Sequence, residues 1–236
     1  MSYNFQRFEG TKRKAGERYA HSTSKPTYTW RGATYPINTG HNGEYFCYTD
    51  ILSRALEVIH WALNKYRRIL LVRYDLHAAT GCKLPCISNM YKNLMRKLER
   101  KYGESAYFWV REIERAKELH YHCFLVLDGD RVRSTGVDCG VFEIINSAWS
   151  AEGGAHAHLC DTTIFINSNE KLNQAVKSVS YLAKVRGKAY LSSDEKNYNA
   201  SQIKNRKEIK PFVFDERVHK SVSVGAVDCI PVARGA

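Results

Sequence analysis

The stretch His120-Tyr121-His122-Cys123-Phe124-Leu125-Val126-Leu127, closed by Asp128-Gly129-Asp130, constrains the fold more than any other part of the chain. A short apolar run bounded by an Asp-Gly turn reads as a β-strand. On a strand, residues i and i+2 point the same way, so the imidazoles of His120 and His122 share one face. On a helix the two would be splayed by about 200°. Two convergent imidazoles can hold a divalent metal; they also occur as hydrogen-bonded core residues or on a solvent face.

The rest of the chain supplies partners for that strand. Ile51, Leu52, Ala55, Leu56, Ile59 and Leu63 recur at helical spacing and predict a helix from Asp50 to about Lys65. Residues 69–76 and 106–113 read as strands, β-branched or aromatic at intervals. Between them Ser88 is the expected N-cap of a second helix whose stripe is Tyr91, Leu94, Met95, Leu98 and Tyr102, ended by Gly103. Phe142, Ile145 and Trp149 suggest a third helix, residues 162–166 a fourth strand, and residues 169–186 a last helix with Leu172, Ala175, Val176, Val179, Leu182 and Ala183 on one face. Strands interleaved with helices give an α+β fold, and the short charged connection between 106–113 and 120–127 implies an antiparallel pair at the sheet centre. Residues 1–48 read as a basic, partly irregular arm, 49–190 as the main domain, and 191–236 as a polar basic extension.

Charge points to a polyanion. The 236 residues carry 36 Lys and Arg against 24 Asp and Glu, a formal net charge of +12. Lys and Arg that neutralise phosphates release counterions, so nucleic acid is the expected partner, with a merely solvated basic surface as the alternative. Seven cysteines, an odd number without a Cys-x-x-Cys pair, argue against a disulfide framework or a zinc finger and fit a reducing cytosol. No apolar run reaches the roughly 18 residues of a membrane span.

Three further positions complete a candidate site. Glu112 lies eight residues before His120, so in a hairpin its carboxylate falls beside the imidazole pair, with Glu114 as the reserve ligand. Two histidines and a carboxylate make a half-open metal site. Tyr181 points nearly away from the apolar stripe of its helix, so it is either a surface residue or aimed at a site across a cleft; Lys184, at i+3, shares its flank. Ionising a phenol at pH 7 costs about 4 kcal/mol, which a neighbouring ammonium and a polarised phosphate can partly offset. Asp75 and His77, at the end of the first strand, share one face; they border the site or simply mark a strand-to-loop transition. Tyr190 and Tyr198 are second-choice nucleophiles. His156-Ala157-His158, after Gly153-Gly154, suits a loop or strand edge and ranks below the 120/122 pair.

Taken in order, a strand at Leu70–Leu76, His120-Tyr121-His122, and Tyr181-Leu182-Ala183-Lys184 resemble the three motifs of the HUH endonuclease superfamily, the rolling-circle replication initiators and relaxases. Trp109-Val110-Arg111-Glu112 followed by His120-Tyr121-His122 is similar, more narrowly, to the inovirus-type replication proteins, including the YagK/YfjJ-type prophage family, over roughly residues 50–190. The aromatic middle residue, Tyr121, is a departure; it points to the face opposite the imidazoles. The resemblance implies a central antiparallel sheet flanked by helices, of HUH/Rep-like, ferredoxin-like or RRM-like type. It implies Mg²⁺ or Mn²⁺ on His120, His122 and Glu112, and Tyr181 attacking single-stranded or hairpin DNA at a replication origin. Lys184 then orients the phosphate or assists the phenol, leaving a 5′-phosphotyrosyl link and a free 3′-OH in a bacterial cytoplasm, with host replication proteins as further partners. Arg111, Arg131, Arg133 and the arm residues Lys12, Arg13 and Lys14 are the candidate DNA contacts. Three rivals remain: a non-catalytic DNA-binding regulator, an RNA-binding protein, and a zinc protein using Cys82, Cys86, His156 and His158.

Overall fold

The computed structural model describes residues 21–78, 86–112, 120–132, 140–186, 188 and 197–215. The described residues begin with four short strands, β1 (Ser22–Thr23), β2 (Thr27–Trp30), β3 (Ala33–Pro36) and β4 (Cys47–Tyr48), followed by helix α1 (Thr49–Leu63). Strand β5 (Ile69–Ala78), helix α2 (Ile87–Tyr102), strands β6 (Ala106–Glu112) and β7 (His120–Asp128), helix α3 (Val141–Ala151), strand β8 (Gly154–Ile166), helix α4 (Asn169–Ser180) and strand β9 (Tyr198–Ala200) complete it. Five strands form one sheet in the order β8-β5-β7-β6-β9, every pair antiparallel.

Helices cover both faces of this sheet, which is why β7 is buried along almost its whole length and reads as a continuous apolar run. On one face, Leu71, Phe108, Val110, Phe124 and Val126 pack with the stripes of α1 and α4. On the other, Val72, Tyr74, Tyr121, Leu125 and Leu127 pack with α2 and α3, centred on the fully buried Trp149. Among the described residues no helix is long and apolar enough to cross a membrane, and Cys47, Cys86, Cys123 and Cys160 are free thiols.

The described part of the expected N-terminal arm is not an arm. Trp30, Tyr35, Ile37 and Cys47 belong to the core around α1. The β2–β3 hairpin turns at Arg31 and Gly32, both at positive φ (50° and 86°), the backbone of a tight hairpin turn usually signalled by Asn-Gly. The C-terminal extension is likewise part of the fold: β9 pairs with β6, and Phe214 is buried. A buried Glu57 ties these segments to α1. Its Oε2 accepts from Arg54 Nη1 at 2.7 Å and from Arg206 Nε at 2.8 Å, and Arg31 Nη2 lies 3.5 Å from Oε1. Three basic residues thus hold the fold together.

Three element boundaries also move. Cys86, not Ser88, occupies the N-cap of α2, and Gly103 at φ 82° ends the helix as expected. The fourth strand starts at Gly154 rather than residue 162, so His156-Ala157-His158 lies on β8, an edge of the sheet. The last helix stops at Ser180, and Tyr181–Ala183 form a 3₁₀ turn.

Candidate metal centre and its neighbouring tyrosine

The antiparallel register builds the cluster. His120 on β7 stands opposite His77 on β5 and Glu112 on β6, and the adjoining row pairs His122 with Asp75 and Val110. Strand alternation puts these side chains on the α1/α4 face, at the end of the sheet where β7 begins and β5 and β6 finish. His120 Nε2 and His122 Nε2 are 3.1 Å apart, and Glu112 Oε2 is 3.3 Å from His122 Nε2. Glu112, His120 and His122 offer ligand atoms that all lie within 4.8 Å of one another, the arrangement a metal ion requires; among the described residues they are the one such group of three or more. Two ligands about 2.1 Å from one ion and at right angles to each other are about 3 Å apart, so the observed spacings fit. Three donors leave coordination positions free for phosphate oxygens or water.

A second layer fixes these ligands. His122 Nδ1 lies 2.7 Å from Asp75 Oδ1, which leaves Nε2 to face the cluster. His77 stacks on His120 with ring centroids 5.5 Å apart and planes within 13°. Trp149 Nε1 donates to the His77 carbonyl at 2.8 Å and anchors that end of β5. Lys188 Nζ donates to Glu112 Oε1 and to the Lys184 carbonyl, each at 2.5 Å.

Each charge follows from its surroundings. Burial alone would raise the Glu112 carboxyl, but the Lys188 ammonium and His122 outweigh it and hold it down to about 2. Burial lowers Lys188, only partly compensated by Glu112, because no part of its side chain meets solvent. For His122 burial favours the neutral ring, yet Asp75 and Glu112 overcome it and raise its pKa. Asp75 is lowered because His122 and Arg73 outweigh its own burial. The cluster is therefore anionic at Glu112 and Asp75, and a metal on His122 Nε2 competes with protonation of that ring.

Tyr181 meets this cluster. Its ring is edge-on to His122, centroids 6.1 Å apart at 84°. Lys184 Nζ lies over the ring face, 3.0 Å from the centroid, and also 5.3 Å from the Tyr45 ring. Lys184 is therefore beside Tyr181 as expected, but through a turn: it follows the 3₁₀ segment at φ −53°, ψ 138° and is 4% exposed rather than on a solvated helix flank. The turn is held by the N-terminal strands. Lys184 bridges to Cys47, Val185 N donates to the Phe46 carbonyl at 2.8 Å, and Asn38 N donates to Ser180 Oγ at 2.7 Å.

Other expected residues lie elsewhere. Arg111 pairs with Tyr121 on β7 and so falls on the opposite face of the sheet. Arg131 follows the far end of β7, about 27 Å of strand from His120, and pairs with Asp128 at 3.4 Å. Arg133, Lys12, Arg13, Lys14, Glu114, Tyr190 and Cys82 lie outside the described residues. Tyr198 packs its ring on Phe108, centroids 6.1 Å apart. His156, His158 and Cys160 form no ligand cluster among the described residues, and Cys86 is exposed. Two participants escape sequence reasoning. Arg73 shares the alternation of Asp75 and His77 and was recoverable once those were placed. Lys188 sits in a polar, Lys-rich stretch with nothing local to mark it.

No curated protein and no solved structure matches the chain. The family model of the YagK/YfjJ C-terminal domain matches residues 33–201, a span that contains β3, β4, the cluster, Tyr181, Lys184 and Lys188. The chain belongs to the YagK/YfjJ C-terminal domain family, a prophage-associated family.

Proposed function

We propose that this protein nicks and rejoins DNA strands in an HUH-type, single-tyrosine reaction that initiates rolling-circle replication of a phage or prophage element. One observation carries the reading: Tyr181, some sixty residues downstream of the histidines, lies with its ring edge on His122. His120, His122 and Glu112 would hold a divalent ion, Mg²⁺ or Mn²⁺, which would supply Lewis-acid polarisation of the scissile phosphate. Tyr181 Oη gives up its proton to water as it attacks phosphorus, the bond to the 3′-oxygen breaks, and that oxygen takes up a proton from water. The products are a 5′-phosphotyrosyl link and a free 3′-OH able to prime synthesis. Lys184, on the tyrosine ring, brings positive charge to the nucleophile and to the phosphate it attacks. Asp75 holds the His122 ring by Nδ1, and Lys188 holds one oxygen of Glu112 while the other faces His122. Attack by a new 3′-OH reverses the reaction and rejoins the strand. Single-stranded or hairpin origin DNA is the substrate, and host replication proteins are the expected partners.

The test is a covalent adduct. The protein is incubated with single-stranded DNA carrying a randomised hairpin segment and Mn²⁺, and protein–DNA adducts are read after denaturation. Tyr181→Phe is expected to abolish the adduct while leaving DNA binding largely intact; persistence of the adduct overturns the nucleophile. Replacing both His120 and His122 with alanine is expected to remove metal-dependent cleavage, and undiminished nicking overturns the metal site. A wild-type protein that shifts DNA without cutting it is a regulator instead.

A further inference from the structure

Arg73 is the cation at the tyrosine that the proposed chemistry leaves unused. It alternates on β5 with Asp75 and His77, so it occupies the face that carries the cluster, opposite Phe124. The β5–β8 register breaks beside it: Val72 pairs with Thr163 and Tyr74 with Leu159, leaving Cys160, Asp161 and Thr162 as a bulge. Bulges of this kind re-aim side chains at functional sites. The Arg73 guanidinium carbon lies 5.2 Å from the centroid of the Tyr181 ring. Its Nε is buried without a hydrogen-bond partner. Asp75 feels its charge but gives Oδ1 to His122.

A groove of about 420 Å³ runs between β8 and α4, walled by Asp161, Thr163, Lys171, Gln174 and Ser178 among others. Lys171, Gln174 and Ser178 are three and four apart and form one stripe of α4, whose next step is Tyr181. The opposite wall includes Asp161, on the bulge beside Arg73. Extended by one step, the α4 wall reaches Tyr181, and the β8 wall includes the bulge opposite Arg73. A planar guanidinium, one of whose donors is unpaired, matches the paired oxygens of a phosphate.

We propose that Arg73 binds a backbone phosphate of single-stranded DNA beside Tyr181, and that the strand runs from there along the groove between β8 and α4. The proposal rests on the single-tyrosine reading for its substrate class, but its test does not depend on cleavage.

Binding of a fluorescent oligothymidylate to the full chain is followed by anisotropy across a salt series, with chelator present and Tyr181→Phe as background. Each phosphate contact to a single strand contributes about 0.7 to the slope of log affinity against log salt. Arg73→Gln is expected to reduce that slope by about 0.7 and to weaken binding several-fold. Arg73→Lys is expected to keep the slope and, with Tyr181 restored, to slow adduct formation. Gln174→Glu, exposed on α4, is expected to weaken binding without disturbing the fold. An unchanged slope with Arg73→Gln, indifference to Gln174→Glu, or no binding of the strand by the parent protein overturns the proposal. If Arg73→Gln does not fold, Arg73→Lys and Gln174→Glu carry the test. Arg73-dependent binding by a wild-type protein that forms no adduct supports the Arg73 site while overturning the nicking reading.

Discussion

Asp75 Oδ1 and His122 Nδ1 lie 2.7 Å apart, joined across the β5–β7 register that sets the two residues directly opposite each other. The carboxylate decides which nitrogen of His122 faces Glu112 and His120. Outer-shell carboxylates of this kind raise ligand basicity and fix ring orientation, and their loss costs about 10–100-fold in metal affinity. Asp75→Asn is therefore expected to weaken Mn²⁺ binding by that factor, read by calorimetric titration at constant pH. An affinity equal to wild type removes Asp75 from the site.

Lys188 and Glu112 form a nearly dry pair, their side chains 0% and 3% exposed. Removing one partner of such a pair strands a buried charge and costs about 3–5 kcal/mol. Lys188→Met is expected to lower unfolding free energy in urea by about that much. The double variant Glu112→Gln, Lys188→Met is expected to recover a large part of it. A double variant as unstable as the sum of the two single ones shows that the groups do not interact.

His60 governs acid stability away from the site. Its ring stacks on Trp30 at 4.9 Å, Nδ1 accepts from Phe212 N at 3.0 Å, and burial pushes its pKa down to about 4. A folded value below the ordinary 6.5 contributes stability that is present above pH 6.5 and lost as pH falls towards 4, amounting to about 3 kcal/mol. His122, raised by its carboxylate neighbours, has the opposite sign. Its contribution is complete below pH 6.5 and is lost only as pH rises through its folded value, so it does not enter this window. Glu112, held near 2, adds a second loss that begins near pH 4.5. Chemical denaturation from pH 7 to 4 is expected to show the decline, and His60→Phe to flatten it. The same slope in His60→Phe would assign the titration elsewhere.

The strands at the sheet centre and the stripes of α1 and α2 were legible because periodicity reports burial directly. Glu112 opposite His120 followed from the hairpin spacing alone; alternation put Asp75 and His77 on one face, but only the β5–β7 register sets them opposite His122 and His120. The β2–β3 hairpin stayed hidden because Arg31-Gly32 is not the usual residue pair for its turn. Part of β8 stayed hidden because a Gly-Gly start and a bulge at residues 160–162 interrupt its alternation. The end of α4 was overrun because Leu182 and Ala183 continue the apolar stripe while the backbone has already tightened. Lys188 was invisible for a different reason: its role exists only when residues 76 positions apart meet.

The turn carrying Tyr181 is secured largely by main-chain groups, at Val185 and Phe46, at Lys184 and Cys47, and at Asn38, where the acceptor is Ser180 Oγ. None of these attachments except the serine asks for a particular side chain. The residue at position 46 can therefore change, whereas Val185, 3% exposed in the core, must stay apolar for the phenol to reach the same spot. A deletion within residues 38–47 would instead shift it while leaving all three metal ligands where they are. Reach and metal affinity are thus set on separate stretches of the chain and meet at Lys188, which bonds both the Lys184 carbonyl and Glu112.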